Sequence, residues 1–244
     1  MHGDADIAVV AALMGEPARA AVLLALIDGR ALAASTLAAE AGVAPSTIST
    51  HLSRLVDGGL IRVEPSGRHR YYRLANYQVA EAVEALARLA PIRPVRSLRQ
   101  GTHAEAIRRA RTCYDHLAGR LGVALCDALV TSGVIQFEDI ADAEHDPVLG
   151  IGRARRCVVT AAGQRRLDSL GVELGSPSRR PLASYCVDWS EQQAHIGGRL
   201  GAGLFNRLLA LEWLTRADRR VIRVTDTGRV GMAVEFAIGA DVVV

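Results

Sequence analysis

Lysine is absent from this 244-residue chain, so all 29 of its basic residues are arginine. An arginine side chain can form two parallel hydrogen bonds to a phosphate or a guanine, whereas a lysine offers only a point charge. The absence therefore has a physical consequence wherever the chain meets a nucleic acid.

Long apolar segments are also missing. No hydrophobic run approaches the length that spans a bilayer, and residues 1–4 lack the basic start of a secretory signal. Half of the residues are hydrophobic and 23% are charged, which is ordinary for a globular protein. The composition predicts a cytoplasmic protein with no membrane partner.

Cysteine is scarce, and its four positions show no zinc-ribbon spacing: Cys113, Cys126, Cys157 and Cys186. In a cytoplasmic chain these thiols are expected to be reduced rather than paired in disulfides. Cys126 and Cys157 have apolar neighbours, which favours a packing role for both.

The motifs of the common enzyme classes are not found. The sequence has no Walker loop, no dinucleotide fingerprint after a strand, no Gly-x-Ser-x-Gly and no His-Glu-x-x-His. The glycines of residues 197–203 lie in a helical pattern that indicates close helix packing. We therefore predict no enzymatic activity and no catalytic residues.

What the chain does contain is basic charge in its N-terminal half. Residues 45–73 carry five arginines against two acids, and residues 93–111 carry six against one, although the formal net charge of the whole chain is only +3. This distribution suits a DNA-contacting module joined to a separate sensory or oligomerising part.

The main signal is a predicted helix that Pro45 opens. Ile48, Leu52 and Leu55 form one apolar stripe along it. The other face has short hydroxyls and a guanidinium but no acid before Asp57, as expected of a surface that lies against phosphates and base edges. The predicted DNA contacts on this helix are Ser46, Thr47, Ser49, Thr50, His51, Ser53 and Arg54.

Three shorter helices are predicted before this one. The first ends by Gly15, the second runs from Pro17 to before Gly29, and the third runs from Ser35, as its N-cap, to Ala41. Together with the helix at Pro45, the third gives the helix, tight turn and helix of a DNA-reading unit.

A basic hairpin and a last helix are predicted after it. The extended segments 60–64 and 69–74 are joined by a tip of residues 65–68, and a helix follows over residues 78–89. The predicted phosphate contacts of this hairpin are Arg62, Arg68, His69 and Arg70.

These features together resemble the ArsR family of winged helix-turn-helix regulators. The resemblance rests on residues 37–55 (LAAEAGVAPSTISTHLSRL), 58–61 (GGLI) and 67–74 (GRHRYYRL). It implies a homodimer formed through the first and last helices of this module, with two recognition helices about one DNA turn apart on a partly palindromic operator. It also implies repression of a nearby operon, relieved by an effector.

Many members of that family sense metals through cysteines on the helix before the recognition helix, or through acids and histidines on the last helix of the module. Here residues 35–41 contain no cysteine and residues 78–89 contain no histidine. The family's usual effector is therefore not carried over to this chain.

The C-terminal half contains an internal repeat. Residues 116–125 (HLAGRLGVAL) align with residues 195–204 (HIGGRLGAGL), and residues 158–164 align with residues 223–229. Each copy is predicted as a helix, a strand and a Thr-capped helix, which indicates a degenerate winged-helix unit. Long ArsR-like regulators of actinobacterial type are similar across this region.

The predicted fold class is therefore α+β, mainly α with small β-hairpins. A winged helix-turn-helix domain for DNA binding and dimerisation is predicted over residues 1–92. A domain of two winged-helix-like repeats, about residues 103–170 and 182–240, is predicted over residues 100–244 for sensing or dimer support.

Candidate effector residues lie at the start of each repeat: Cys113, Tyr114, His116, Cys186, Asp188, Trp189 and His195. Cys113 and His116 are three residues apart on a predicted helix, so both can face one ligand. If the two segments converge, their cysteines and histidines form a set suited to zinc or a related metal. A small-molecule pocket, a reactive thiol and simple core packing are the alternatives.

The sequence thus predicts a transcriptional regulator that binds double-stranded DNA as a homodimer and releases it with an effector. The alternatives are an architectural DNA-binding protein and an activator without a small-molecule effector.

Overall fold

The structure, a computed structural model, describes residues 4–91, 94–139, 155–176 and 180–243. The chain divides into two compact units, Met1–Ala87 and Arg88–Val244, which we call the N-terminal and C-terminal domains. Helices and small antiparallel hairpins make up both domains, which confirms the predicted α+β class.

The N-terminal domain has the element order of a winged helix-turn-helix. Its elements are α1 (Ile7–Met14), α2 (Pro17–Leu26), β1 (Leu32–Ala33), α3 (Ala34–Ala41), α4 (Pro45–Asp57), β2 (Ile61–Ser66), β3 (His69–Leu74) and α5 (Tyr77–Leu89), of which the last two residues are counted in the C-terminal domain. No single helix among the described residues is both long and apolar enough to cross a membrane; α1 and α2 would pass only as a pair, and they are bent by 86°.

Helices α3 and α4 form the predicted helix-turn-helix. Gly42 ends α3 in the left-handed region, with φ of +65°, where a residue without Cβ is unstrained. Ser35 is not the N-cap that the sequence predicts. The N-cap is Ala33, two residues earlier, and the helix begins at Ala34, because Ala33 is extended and pairs with Tyr71 of β3.

The β2–β3 hairpin is the predicted wing, but its tip is tighter than expected. Ser66 pairs with His69, so the turn contains two residues, Gly67 and Arg68, rather than four. Gly67 has φ of +59°, which suits the first central position of a type II′ turn. Pro65 lies within β2, which tolerates proline because it is the edge strand of the β1-β3-β2 sheet.

The C-terminal domain shows one order of elements twice. Helix α6 (Leu98–Arg109) comes first, and a hairpin, a helix, a second hairpin and a second helix then follow in each half. The first half is β4 (Arg111–Cys113), β5 (His116–Ala118), α7 (Arg120–Thr131), β6 (Ile135–Asp139), β7 (Arg155–Val159) and α8 (Ala161–Leu170). The second half is β8 (Ser184–Val187), β9 (Ala194–Gly197), α9 (Gly198–Ala210), β10 (Leu214–Arg216), β11 (Ile222–Val224) and α10 (Asp226–Phe236), with α11 (Ala240–Val243) at the end.

Matching positions in the two halves have matching local structure. Thr160 and Thr225 are the N-caps of α8 and α10, and their Oγ1 atoms accept hydrogen bonds from the amides of Gly163 (2.8 Å) and Gly228 (2.9 Å). One difference from the sequence prediction is that residues 116–118 and 195–197 are strands rather than helical turns. The assignment of each half as a winged-helix unit stays a prediction.

Both halves contribute to one hydrophobic core. The two helices α7 and α9 each bury three leucines in the same hydrophobic cluster. These leucines are Leu121, Leu125, Leu129, Leu200, Leu204 and Leu208. This shared core brings the two first hairpins, β4–β5 and β8–β9, into one region of the domain.

Candidate DNA interface and cysteine–histidine cluster

Helix α4, the predicted recognition helix, presents a polar face opposite its buried stripe. Ile48, Leu52 and Leu55 are at most 1% exposed and fix the orientation of the helix. The exposed residues are Ser46, Thr47, Ser49, Thr50, Ser53 and Arg54. Six of the seven residues predicted on this helix therefore share the face that is open to solvent.

His51 does not share that face. Its ring is half-buried, and Nδ1 lies 3.2 Å from the carboxylate of Glu16, just before α2. Glu16 also caps α2, because its side chain accepts hydrogen bonds from the amides of Ala18 and Arg19. The position of His51 indicates a contact between α4 and the start of α2.

The wing presents basic side chains at and beside its two-residue turn. Arg68, His69 and Arg70 are all exposed. Arg62 differs, because its guanidinium lies 3.3 Å from the carboxylate of Glu64 on the same strand. Within the described parts of the chain, no carboxylate forms an ion pair with Arg54, Arg68 or Arg70.

In the C-terminal domain, Cys113 and His116 lie on neighbouring strands rather than on a helix, so the predicted helix is wrong at this point. They are directly paired across the β4–β5 hairpin, whose two-residue turn includes Tyr114 with φ of +58°. A spacing of three residues fits a helical face, but it also fits the two sides of such a turn. Cys186 and His195 form the equivalent cross-strand pair of β8 and β9.

The two pairs converge. One possible ligand atom from each of Cys113, His116, Cys186 and His195 lies within 4.8 Å of each of the others. The two imidazole rings are 5.2 Å apart between centroids and tilted by 31°. Three of these residues are buried, and Cys186 is half-buried. We call these four residues the Cys2His2 cluster.

The other predicted effector residues surround this cluster. Asp188 accepts hydrogen bonds from Arg111 (2.8 Å), from the Ser190 hydroxyl (2.8 Å) and from the amide of Gly119 (2.7 Å). Trp189 packs on the same Arg111, with its ring centroid 4.6 Å from the guanidinium carbon. Asp188 and Trp189 therefore hold a buried arginine.

Tyr114 and Asp115 occupy the β4–β5 turn and contact one arginine. The Asp115 carboxylate accepts two hydrogen bonds from Arg180, one of them 2.7 Å long. The Arg180 guanidinium also lies 6.0 Å from the centroid of the Tyr114 ring. Tyr114 is thus next to the cluster but does not contribute a ligand atom to it.

Arg111 is the main site residue that sequence reasoning missed. The sequence counts it with the basic run of residues 93–111, yet its side chain is fully buried in the structure. No local signal marks Arg111 itself. The Asp-x-Ser spacing of residues 188–190 indicates only the turn that its partner Asp188 caps, as observed for the Ser190 amide at 2.9 Å.

The pKa values of the two histidines in the cluster are shifted in opposite directions. Burial alone would lower the pKa of His116, but the neighbouring Cys113 and Asp115 raise it to about 9. Burial and the adjacent His116 hold the pKa of His195 well below its usual value. Burial would raise the pKa of Asp188, but Arg111 and the other donors keep it well below the ordinary range.

Cys126 and Cys157 lie apart from this cluster, in the hydrophobic core. Burial raises the pKa of the Cys126 thiol to about 12 and that of Cys157 to about 11. Both thiols therefore stay protonated at neutral pH, which favours the packing role that the sequence predicts.

A separate cleft of about 670 Å3 lies beside α6, β11 and α10. Its lining is rich in basic side chains, including Arg99, His103, Arg109 and Arg223. None of the predicted effector residues lines it, so it is distinct from the Cys2His2 cluster.

Comparison with known proteins gives one match within the N-terminal domain and one over most of the chain. A family profile described as "Helix-turn-helix domain" matches residues 14–64. The "Uncharacterized HTH-type transcriptional regulator YdfF" of Bacillus subtilis (strain 168) is 39% identical over 228 residues, which are 92% of this chain and 94% of that protein. That likeness extends over both domains.

Solved structures match over about a third of the chain. The homodimeric winged helix-turn-helix DNA-binding domain Mb0332 from Mycobacterium bovis, described as possibly of the ArsR family, has 29% identity, covers 36% of this chain and 88% of its own, and gives a TM-score of 0.31. The cadmium metal-sensor CMTR from Mycobacterium tuberculosis has 30% identity, covers 37% of this chain and 98% of its own, and gives a TM-score of 0.30.

Proposed function

Because the chain belongs to the HTH-type transcriptional regulators, we propose that it is a homodimeric repressor of the ArsR type that leaves its operator when an effector binds. The observation that carries the proposal is the exposed face of α4, which carries no acid from Pro45 to Arg54, together with the exposed arginines at the tip of the wing. The proposed DNA interface consists of these two surfaces.

The two surfaces have different roles in this proposal. Ser and Thr hydroxyls contact bases or phosphates, and Arg54 has the length and the paired donors to read a guanine. Arg68 and Arg70 carry positive charge at the end of a thin hairpin, which suits the phosphate backbone. Helix α4 therefore supplies specificity, and the wing supplies position and affinity.

Exposed apolar side chains on α1 and α5 support the homodimer. Ile7 is 77% and Leu89 is 69% exposed, and Val9, Val10 and Leu86 are exposed as well. A single exposed apolar residue is ordinary, but several on the two helices that the ArsR resemblance assigns to dimerisation favour burial against a second copy. A two-fold dimer would then read a partly palindromic operator.

The C-terminal domain is the proposed site of effector action. Its Cys2His2 cluster unites four of the seven predicted effector residues, which are far apart in the sequence. A cytoplasmic location, predicted from the sequence, goes with this role.

The test is a fluorescence-anisotropy titration of the full chain onto DNA from its own upstream region and onto scrambled DNA, at near-physiological salt. We expect two chains per site and a preference of at least about a thousand-fold for the upstream DNA. Equal, weak and salt-sensitive binding to both would contradict the proposal and favour an architectural protein.

Arg54→Ala is expected to weaken operator binding by about 1–3 kcal/mol and to relax the preference at one base position. The reason is that the exposed Arg54 guanidinium is the one side chain on the α4 face that can bond a guanine through two donors. The measurement is titration against operators with single-base changes. Arg165→Ala, which removes an exposed arginine from α8, is the matched control and should leave the affinity unchanged.

Arg68→Ala is expected to weaken binding to operator and scrambled DNA alike. A wing arginine on a phosphate displaces about one counterion, so the slope of log K against log salt should fall in magnitude by about 1. Titrations at four salt concentrations measure this slope. An unchanged slope together with a lost base preference would assign Arg68 to base reading instead.

A further inference from the structure

The Cys2His2 cluster has the donor set of a metal site. Two thiols and two imidazoles are the ligands that structural zinc takes in a tetrahedral arrangement, and four is the number it needs. The four donors here come as two identical cross-strand pairs, Cys113–His116 and Cys186–His195. Each half of the repeat therefore contributes half of a complete ligand set.

The distances are close to those of an occupied site. Zinc with sulfur ligands at about 2.3 Å and nitrogen ligands at about 2.0–2.1 Å holds its donors roughly 3.3–3.8 Å apart. The four donor atoms lie within 4.8 Å of one another. Contraction by about 1 Å, within reach of side-chain rotation, would complete the coordination geometry.

The imidazole nitrogens also require an explanation. Nε2 of His116 and Nε2 of His195 are both buried, and within the described chain neither has a hydrogen-bond partner. Buried polar atoms are nearly always satisfied, so two such atoms side by side indicate a missing ligand. A metal ion bound by both Nε2 atoms would satisfy them together.

The opposite nitrogens face carboxylates. His116 Nδ1 lies 3.4 Å from Asp115, and His195 Nδ1 lies 3.6 Å from Asp188. Histidines that bind metals usually direct their other nitrogen to a carboxylate or carbonyl, which fixes the ring orientation. In both histidines Nδ1 is thus the nitrogen nearer a carboxylate, although the 3.6 Å at His195 is longer than a hydrogen bond, and Nε2 is the nitrogen that a metal would bind.

From these observations we propose that the Cys2His2 cluster binds one divalent metal ion of the zinc class, held between the two halves of the C-terminal domain. Cys113 and Cys186 bind as thiolates and balance the charge of the ion, and His116 and His195 bind through Nε2. Asp115 and Asp188 are positioning residues for the two rings. The inference concerns this domain alone and does not depend on the DNA-binding proposal.

The experiment uses the full chain, stripped of metal with a chelator under reducing conditions and titrated with Co(II). We expect visible absorption bands of tetrahedral cobalt and a thiolate-to-cobalt charge-transfer band, both saturating at one ion per chain. One equivalent of Zn(II) should remove both bands by displacement. Absence of these bands from the wild-type protein would overturn the proposal.

Two cysteine variants sharpen the test. Cys186→Ser changes a half-buried ligand. Loss of a residue that only hydrogen-bonds to a metal ligand lowers metal affinity by about 10–100-fold, and loss of the ligand itself is expected to lower it further. Cys157→Ala, a buried cysteine outside the cluster, should keep wild-type affinity. Fluorescence of Trp189 and Trp213 checks that each variant is folded. If a variant does not fold, the cobalt titration of the wild-type protein still tests the proposal.

Two results would refute the assignment. One is equal metal affinity in Cys186→Ser and wild type. The other is a disulfide between Cys113 and Cys186 that persists in reductant, detected by mass after alkylation, because it would consume both sulfur ligands.

Discussion

Asp188→Ala is expected to lower the free energy of unfolding of the C-terminal domain by about 3–5 kcal/mol. The side chains of Asp188 and Arg111 are both 0% exposed, and they form an ion pair of 2.8 Å. Removal of the carboxylate leaves a guanidinium buried without a counter-charge, which is far more unfavourable than the loss of a surface pair. The change also removes the acceptor of the Gly119 amide at the start of α7.

Intrinsic fluorescence measures this effect selectively, because both tryptophans of the chain, Trp189 and Trp213, lie in the C-terminal domain. Urea unfolding of the variant should show a large decrease in midpoint. Glu105→Ala is the control: Glu105 forms exposed ion pairs with Arg109 and Arg120, and its loss should change stability by less than about 1 kcal/mol. A wild-type midpoint for Asp188→Ala would show that Arg111 finds another partner.

Gly228→Ala is the second large effect, with an expected loss of about 3 kcal/mol in the free energy of unfolding. A Cβ at Gly228 would overlap the carbonyl oxygen of Trp213, and backbone cannot yield as a flexible side chain does. Gly163 has the same position in the first half, where a Cβ would overlap the carbonyl oxygen of Val134. Gly163→Ala should therefore have a similar effect.

The unfolding temperatures of Gly163→Ala and Gly228→Ala are compared with that of a control variant, Gly101→Ala. Gly101 lies within α6, and a Cβ there would meet only Val95 Cγ1, at an ordinary 3.5 Å. Since alanine is a better helix former by about 1 kcal/mol, this control should be neutral or stabilising. If Gly163→Ala and Gly228→Ala unfold at the wild-type temperature, the contact of each helix with the carbonyl just before the neighbouring strand is not tight.

The N-terminal domain was predictable because its signals are local. The spacing of Ile48, Leu52 and Leu55 determines which face of α4 is buried, and this in turn determines which side chains face solvent. Gly42 and Gly67 stand where the backbone needs positive φ. The errors, at Ser35 and at the wing tip, are boundary errors of one or two residues.

The C-terminal site was only partly predictable, because its geometry depends on contacts between distant segments. The internal repeat correctly suggested that Cys113 and Cys186 occupy equivalent places, but the Cys-x-x-His spacing does not distinguish a helix from a tight hairpin. Nothing local shows that Arg111 is buried. Its partner Asp188 is 77 residues away, and only the folded core brings the two together.

A short pairing in the N-terminal domain has a mechanical consequence. Ala33 is both the last residue of β1, paired with Tyr71 of the wing, and the N-cap of α3. The strand that anchors the wing thus continues without a linker into the helix-turn-helix. A bend of the wing would pull directly on the start of α3, so we expect the two proposed DNA-contacting parts to move together. In a complex with DNA, the spacing of these two parts would then be set by the protein rather than by the DNA.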